Sequence, residues 1–314
     1  MTFPRLSLSV IGDEIGPSLE EMISFAQEHG LKRLDMRTVG GRNLLGMTTE
    51  EVIEISRTLE KAGLSVPTFV SPLFKWPAEG KGSGAGKVDF AFDPTLCPVR
   101  DVVTHAMQIA VILGARHMRI FSYLRYPGFK AVDILRDKHF SKLIGLADQY
   151  DIAMQLENEP VCNIGNVGEL AAFFTARKEA IAEEAFDDDD DDDDDDSEKD
   201  KAAQRENSFL KPLVDIANGW ATGERPSDPD IAALAPLVTA IHLKDRDLAA
   251  NRTVPMGDGN IPWPAELKRL LGSVKTKEVL ASIETHCPQD ARNATARSVA
   301  GLRRIAAEIG VEVV

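Results

Sequence analysis

The chain reads as an α/β protein of the (β/α)8 TIM-barrel class, a single barrel domain over residues 1–314. Three observations predict this. Strand-like and helix-like segments alternate from end to end, eight such units fit the length, and no GxGxxG follows the first strand as a doubly wound dinucleotide fold would require.

Taken in order, the first strand covers about Leu6–Ile11, and an amphipathic helix follows from Ser18 to His29. Ser18 with Glu21 three residues on is a capping-box pattern, and Gly30 closes the helix. The segment RLDM (33–36) is the second strand, leading to a helix near Thr49–Ala62 stopped by Gly63. SVPTFV (65–70) is the third strand. A long Gly-rich loop (77–87) then precedes a helix near Pro98–Leu113 closed by Gly114. That loop lacks the GK[ST] ending of a P-loop and reads as a lid or linker. HMRIF (117–121) is the fourth strand, with its helix near Val132–Tyr150. Four further units rest on strands ending at Glu157, Asp215, His242 and Glu284, and the last helix spans about Asn293–Ile309.

Spacing supports the unit count. Asp215 to His242 is 27 residues and His242 to Glu284 is 42, each compatible with one βα unit. Glu157 to Asp215 is 58, too long for one. Setting aside the low-complexity segment 183–205 leaves 35, which fits. This segment, with ten consecutive aspartates from Asp187 to Asp196, is therefore expected to be a disordered acidic insertion after the fifth helix, because adjacent like charges repel and cannot pack.

The four strand ends carry the chemistry. Buried parallel strands have little use for charge, yet MQLE, PLVD, TAIH and VLASIE each end on a metal-binding side chain, at the end of the strand where α/β proteins place ligands. Glu157, Asp215, His242 and Glu284 converging there would hold one divalent ion. Oxygen-rich coordination with one imidazole suits Mn, Mg, Co or Zn. Alternation puts Gln155, Glu157 and Glu159 on one face, His242 and Lys244 on one face, and Ser282, Glu284 and His286 on one face.

Composition narrows the partners. Hydrophobic residues at 43% and charged residues at 27% are those of a soluble globular protein, with no run long enough to span a membrane. The net charge of −14 falls to −4 without the ten aspartates, and with 6% aromatics this offers no basic, stacking surface for nucleic acid. Three scattered cysteines (Cys97, Cys162, Cys287) and a start without a signal-peptide pattern lead us to expect a reducing, cytoplasmic setting.

The segments LENEP, VDIANGW, IHLKDRD, PMGDGNIPWP and SIETH, with DEIG, LDMRTV and RIFS, resemble the sugar phosphate isomerase/epimerase superfamily, the xylose isomerase-like TIM barrels. HLKD with GDGNI-W is the most specific part. The resemblance spans nearly the whole chain outside the Asp-rich insertion, and it implies a divalent ion on Glu157, Asp215, His242 and Glu284. It further implies that Glu157 and Glu284 are the catalytic acid/base pair, moving a proton next to a carbonyl through an enediolate of a carbohydrate-like substrate. A dehydratase or lyase of a polyol or keto acid is the alternative on the same barrel. A homo-oligomer is expected from the same resemblance.

Five further residues are substrate-binding candidates: Lys244, for an oxyanion; His286, for substrate or as support for Glu284; Arg37 and Glu14, for hydroxyls or a carboxylate; and Asn218, three residues past Asp215. Asp245 is a candidate to orient Lys244, and Arg119 to face the barrel interior. Cys162 and Cys287 lack an activating base and are read as bystanders.

Overall fold

The computed structural model describes residues 3–81, 92, 97–187 and 209–314. Among them, seven parallel strands form one curled sheet. They are β1 (Arg5–Val10), β4 (Thr68–Phe69), β5 (His117–Ile120), β6 (Ala153–Glu157), β7 (Leu210–Asp215), β8 (Ala240–Leu243) and β11 (Glu278–Ile283), in the order β1-β11-β8-β7-β6-β5-β4. The remaining strands form two antiparallel hairpins outside this sheet: β2 (Thr38–Val39) with β3 (Arg42–Asn43), and β9 (Asp245–Asp247) with β10 (Arg252–Val254).

The predicted second strand, 33–36, is not a continuous strand. It makes isolated parallel bridges, Ile11↔Asp35 on one side and Arg33↔Ser65 and Met36↔Phe69 on the other. Its backbone still bonds both ways: Asp35 N donates to Val10 O at 2.9 Å, and Met36 N donates to Thr68 O at 3.1 Å. This segment fills the place between β1 and β4 and completes the circuit. Below it the seam is shared with the chain's last residues, where Val314 N donates to Leu6 O and Leu8 N donates to Val314 O, both at 2.9 Å.

Helices cover the outside. The capping box expected at Ser18 and Glu21 starts α1 (Leu19–Glu28). A second one, Thr48 with Glu51, starts α2 (Thr49–Lys61). The third helix begins later than the sequence suggests, as α3 (Val102–Leu113), because Asp101 caps Thr104 N at 3.2 Å. The expected 132–150 helix is two: α4 (Ala131–Leu135) and α5 (Lys138–Tyr150). Between them Asp137 turns its carboxylate onto the amides of His139 and Phe140 and starts a fresh helix. Next, α6 (Val167–Asp187) runs into the first aspartate of the acidic run. The rest of that run, 188–196, lies outside the described residues, as does most of the Gly-rich loop. Short α7 (Ile216–Ala221) and α8 (Asp228–Leu234), α9 (Trp263–Leu271) and α10 (Ala291–Ile309) complete the outer layer. No helix among the described residues is long and apolar enough to cross a membrane.

The main core lies between sheet and helices, where Leu6, Leu8, Val10, Leu156, Val214, Ile241 and Ile283 meet helix residues such as Phe25, Leu143, Leu267 and Leu302. Inside the curl sits a small separate apolar cluster of Leu213, Ala240 and Leu280. Their register, Leu213↔Ala240↔Leu280, makes them one layer, and Asp215↔His242↔Ser282 makes the next layer toward the strand ends. The site stands on this apolar floor.

Candidate metal centre

Alternation along β6, β7, β8 and β11 turns the four strand-end residues inward. Glu157, Asp215, His242 and Glu284 are all buried, and each offers one ligand atom within 4.8 Å of the others. The register shows how. Glu157 aligns with Leu213, two residues before Asp215, while His242 aligns with both Asp215 and Ser282, two residues before Glu284. Barrel stagger lifts these neighbours to different heights, so side chains from four adjacent positions reach one point.

Within the cluster His242 Nδ1 is 3.2 Å from Glu157 and 3.5 Å from Glu284. Lys244 Nζ bridges Asp215 at 2.7 Å and Glu284 at 3.2 Å. Arg119 Nη1 stands 3.3 Å from Glu157 and 3.4 Å from Glu284, its guanidinium packed on the Phe121 ring. Arg37 reaches Glu284 at 2.9 Å, Glu14 at 2.7 Å and Asp13 at 3.0 Å.

Burial alone would discourage every one of these charges, but the partners decide the direction. For His242 the carboxylates of Glu157 and Glu284 outweigh burial and raise its pKa to about 9. Burial opposes ionisation of Glu157 and Glu284. His242 and Arg119 still hold Glu157 below the usual carboxylate range, and Lys244 with His286 holds Glu284 well below it. Asp215 goes the other way: burial and the nearby Glu157 and Glu284 charges push it up despite Lys244.

The donor set fits a divalent cation. Three carboxylates and one imidazole are brought together in the buried interior, and Glu157 Oε2, within ion-pair range of Arg119 at 3.3 Å, has no hydrogen-bond partner. Asp215 is aimed by its surroundings: its backbone exchanges hydrogen bonds with the Asn158 side chain, and its Oδ1 accepts from Asn218 N at 2.9 Å.

The structure brings Lys244, His286, Arg37 and Glu14 together at the same centre. His286 Nε2 is 3.5 Å from Glu284 and its Nδ1 is 3.4 Å from Glu14. It is the half-open member at 36% side-chain exposure, and its backbone is held in the left-handed region (φ 49°) while its amide donates to Glu14 Oε2. Asn218 is placed differently. Its Nδ2 donates to Asn158 O at 2.8 Å, so it braces the strand end that carries Asp215. The Asp245 carboxylate is turned to the backbone of its own loop. It is buried and accepts from the amides of Arg246, Gly257, Gly259 and Ile261, which fastens the GDGNI loop to the end of β8. Cys162 is buried against Phe121 and Leu124, and Cys287 is half-buried with its Sγ on the Thr285 carbonyl.

Sequence reasoning missed three contributors. Asp13 completes the anionic cradle of Arg37. Lys75, from the loop after β4, is buried and pairs with Glu159 at 3.2 Å over the Phe121 ring. Asp35 is buried beneath the cluster, bonded to the Ser282 hydroxyl and the Thr68 amide, and burial raises its pKa to about 6. An acid inside RLDM was the available signal for Asp35. Asp13 sits in a single helical turn (Gly12–Glu14) and Lys75 in a loop, and neither is long enough for a period to mark direction.

No protein-family model matches the sequence, and no curated protein matches it. Solved structures match nearly end to end. The IolI protein with a bound zinc atom has a TM-score of 0.67 at 12% identity, covering 97% of this chain and 99% of that one. A xylose isomerase-like TIM barrel protein from Mycobacterium smegmatis in complex with magnesium has a TM-score of 0.58 at 12% identity, covering 98% of each chain. The 3-keto-D-glucoside 4-epimerase YcjR from E. coli has a TM-score of 0.58 at 12% identity, covering 94% of this chain and 100% of that one. At such identities the likeness is one of fold, and this chain has the fold of the xylose isomerase-like TIM barrels.

Proposed function

We propose that this xylose isomerase-like barrel is a metal-dependent isomerase or epimerase of a sugar or sugar acid. The observation that carries the reading is the buried Glu157–Asp215–His242–Glu284 cluster at the carboxyl ends of four neighbouring strands. Zinc and magnesium in two structures of this fold support a divalent ion there. When bound, the ion supplies Lewis-acid stabilisation of negative charge developing on substrate oxygens.

The chain's own residues supply the rest. Glu157 at the end of β6 and Glu284 just past β11 approach the cluster from strands separated by β7 and β8, so they flank a substrate carbon from two sides. One takes the proton next to the carbonyl and the other returns it, by way of an enediolate. Arg119 touches both glutamates and fixes their separation, and Arg37 holds Glu284 against Glu14. The apolar layer of Leu213, Ala240 and Leu280 closes the barrel below, leaving the mouth as the substrate's side.

Glu157→Gln and Glu284→Gln should each lower turnover by at least about a hundredfold while leaving the fold intact. Wild-type activity in either variant, on a substrate found by screening ketoses and inososes with Mn²⁺, would end the acid/base assignment.

A second reading is favoured by His286, whose half-open imidazole beside Glu284 is placed to protonate a departing hydroxyl. That would make the protein a dehydratase of a polyol or keto acid. Products formed in deuterated water decide between the two: an epimerase leaves deuterium on one carbon, and a dehydratase gives an enone.

A further inference from the structure

Lys244 stands one residue past β8 with 3% of its surface exposed, and its Nζ contacts Asp215 and Glu284 at 2.7 and 3.2 Å. Both are members of the four-residue cluster. A buried ammonium is tolerated only against anions, and here the same two carboxylates are wanted by a divalent ion. Two cations a few Å apart in a buried site repel strongly, and a carboxylate coordinated to a metal has less charge to offer an ammonium.

The neighbouring cations are not in this position. Arg37 also has Asp13 and Glu14, His286 also has Glu14, and Lys75 has Glu159. Arg119 also rests on the Ser71 carbonyl and the Phe121 ring. The carboxylates in contact with Lys244 are both candidate ligands.

Building on the metal-site reading, we propose that Lys244 is a displaceable resident cation. It holds the metal-free carboxylates together and releases them when the ion enters. It then pairs with a carboxylate that the substrate carries next to its reacting carbonyl. The substrate class is therefore a hydroxy or keto acid derived from a polyol, in preference to a neutral sugar.

The test compares Lys244→Met with wild type, metal-free and loaded with Mn²⁺. The metal-free variant should melt on the order of 5 °C below wild type, because two carboxylates lose their counter-ion. The two loaded proteins should melt together, and the variant should bind Mn²⁺ at least about tenfold more tightly. Equal loss of melting temperature with and without Mn²⁺ overturns the displacement. Should the variant fail to fold metal-free, its refolding yield with Mn²⁺ becomes the readout: recovery supports the displacement and failure in both conditions overturns it.

The second arm titrates glycolate and 1,2-ethanediol into the loaded proteins. Lys244→Met should lose about tenfold in glycolate affinity and nothing for the diol; unchanged glycolate binding overturns the substrate assignment. A wild-type protein that takes up no divalent ion sinks the metal-site reading itself. Uptake with equal melting losses sinks only the role given to Lys244.

Discussion

His242 lies within ion-pair reach of the two glutamates that would share a metal with it, so on the proposed metal-site reading uptake of the ion would release a proton. With its pKa raised from 6.5 to about 9, calorimetry in buffers of different ionisation enthalpy should find about one proton released per ion at pH 7. Absence of proton release would contradict the His242–glutamate pairing. The raised pKa also stabilises the metal-free fold in full below about pH 6.5. That contribution, roughly 3 kcal/mol, disappears as pH climbs through about 9. Asp35 has the opposite effect. Its raised pKa means that ionisation is resisted in the native state, so it destabilises the protein increasingly from about pH 4 to about pH 6. Asp35→Asn should gain on wild type over that interval by up to about 3 kcal/mol, read as the difference between denaturation midpoints at pH 4 and pH 7. The four cluster residues were legible because charge at the end of an apolar strand is conspicuous. The partner of Asp35 was not, since Ser282 is remote in sequence and only barrel closure brings the two together.

At the scale of elements, the PMGDGNIPWP segment shows what a recognisable motif is for. Its amides converge on the Asp245 carboxylate, and a Cβ on Gly259 would run into that carboxylate and the Arg246 carbonyl. Gly259→Ala should therefore cost about 2 kcal/mol and loosen the loop beside Lys244, seen as faster amide exchange at Gly257 and Ile261. Unchanged exchange and stability would show that the loop tolerates the methyl. The capping box at Ser18 was legible because it is a local pairing four residues long. The break at Asp137 was not. An aspartate inside a helical period reads as a solvent-facing residue until its carboxylate is seen on the His139 and Phe140 amides.

Across the whole molecule, eight alternating units were enough to infer a closed barrel, and the curled sheet has that order. What periodicity could not reveal is how the seam is made. The 33–36 segment bridges its neighbours at isolated points, and Val314 bonds to β1 beneath it, with Arg33 Nη1 donating to Val314 O at 3.2 Å. Removing residues 311–314 should lower stability by about 3 kcal/mol in chemical denaturation, and an unchanged midpoint would mean that the seam closes without them. The seam also orders events in time. The parallel partner of β1 is β11, where Arg5 pairs with Glu278 across 273 residues of sequence, and its lower edge is bonded by Glu312 and Val314. Pairings this remote close late in folding, after the locally paired β5 and β6. In pulsed amide labelling during refolding, Leu8 and Ile11 should therefore be protected after Met118 and Ile120, and simultaneous protection would show that the seam closes with the rest of the sheet.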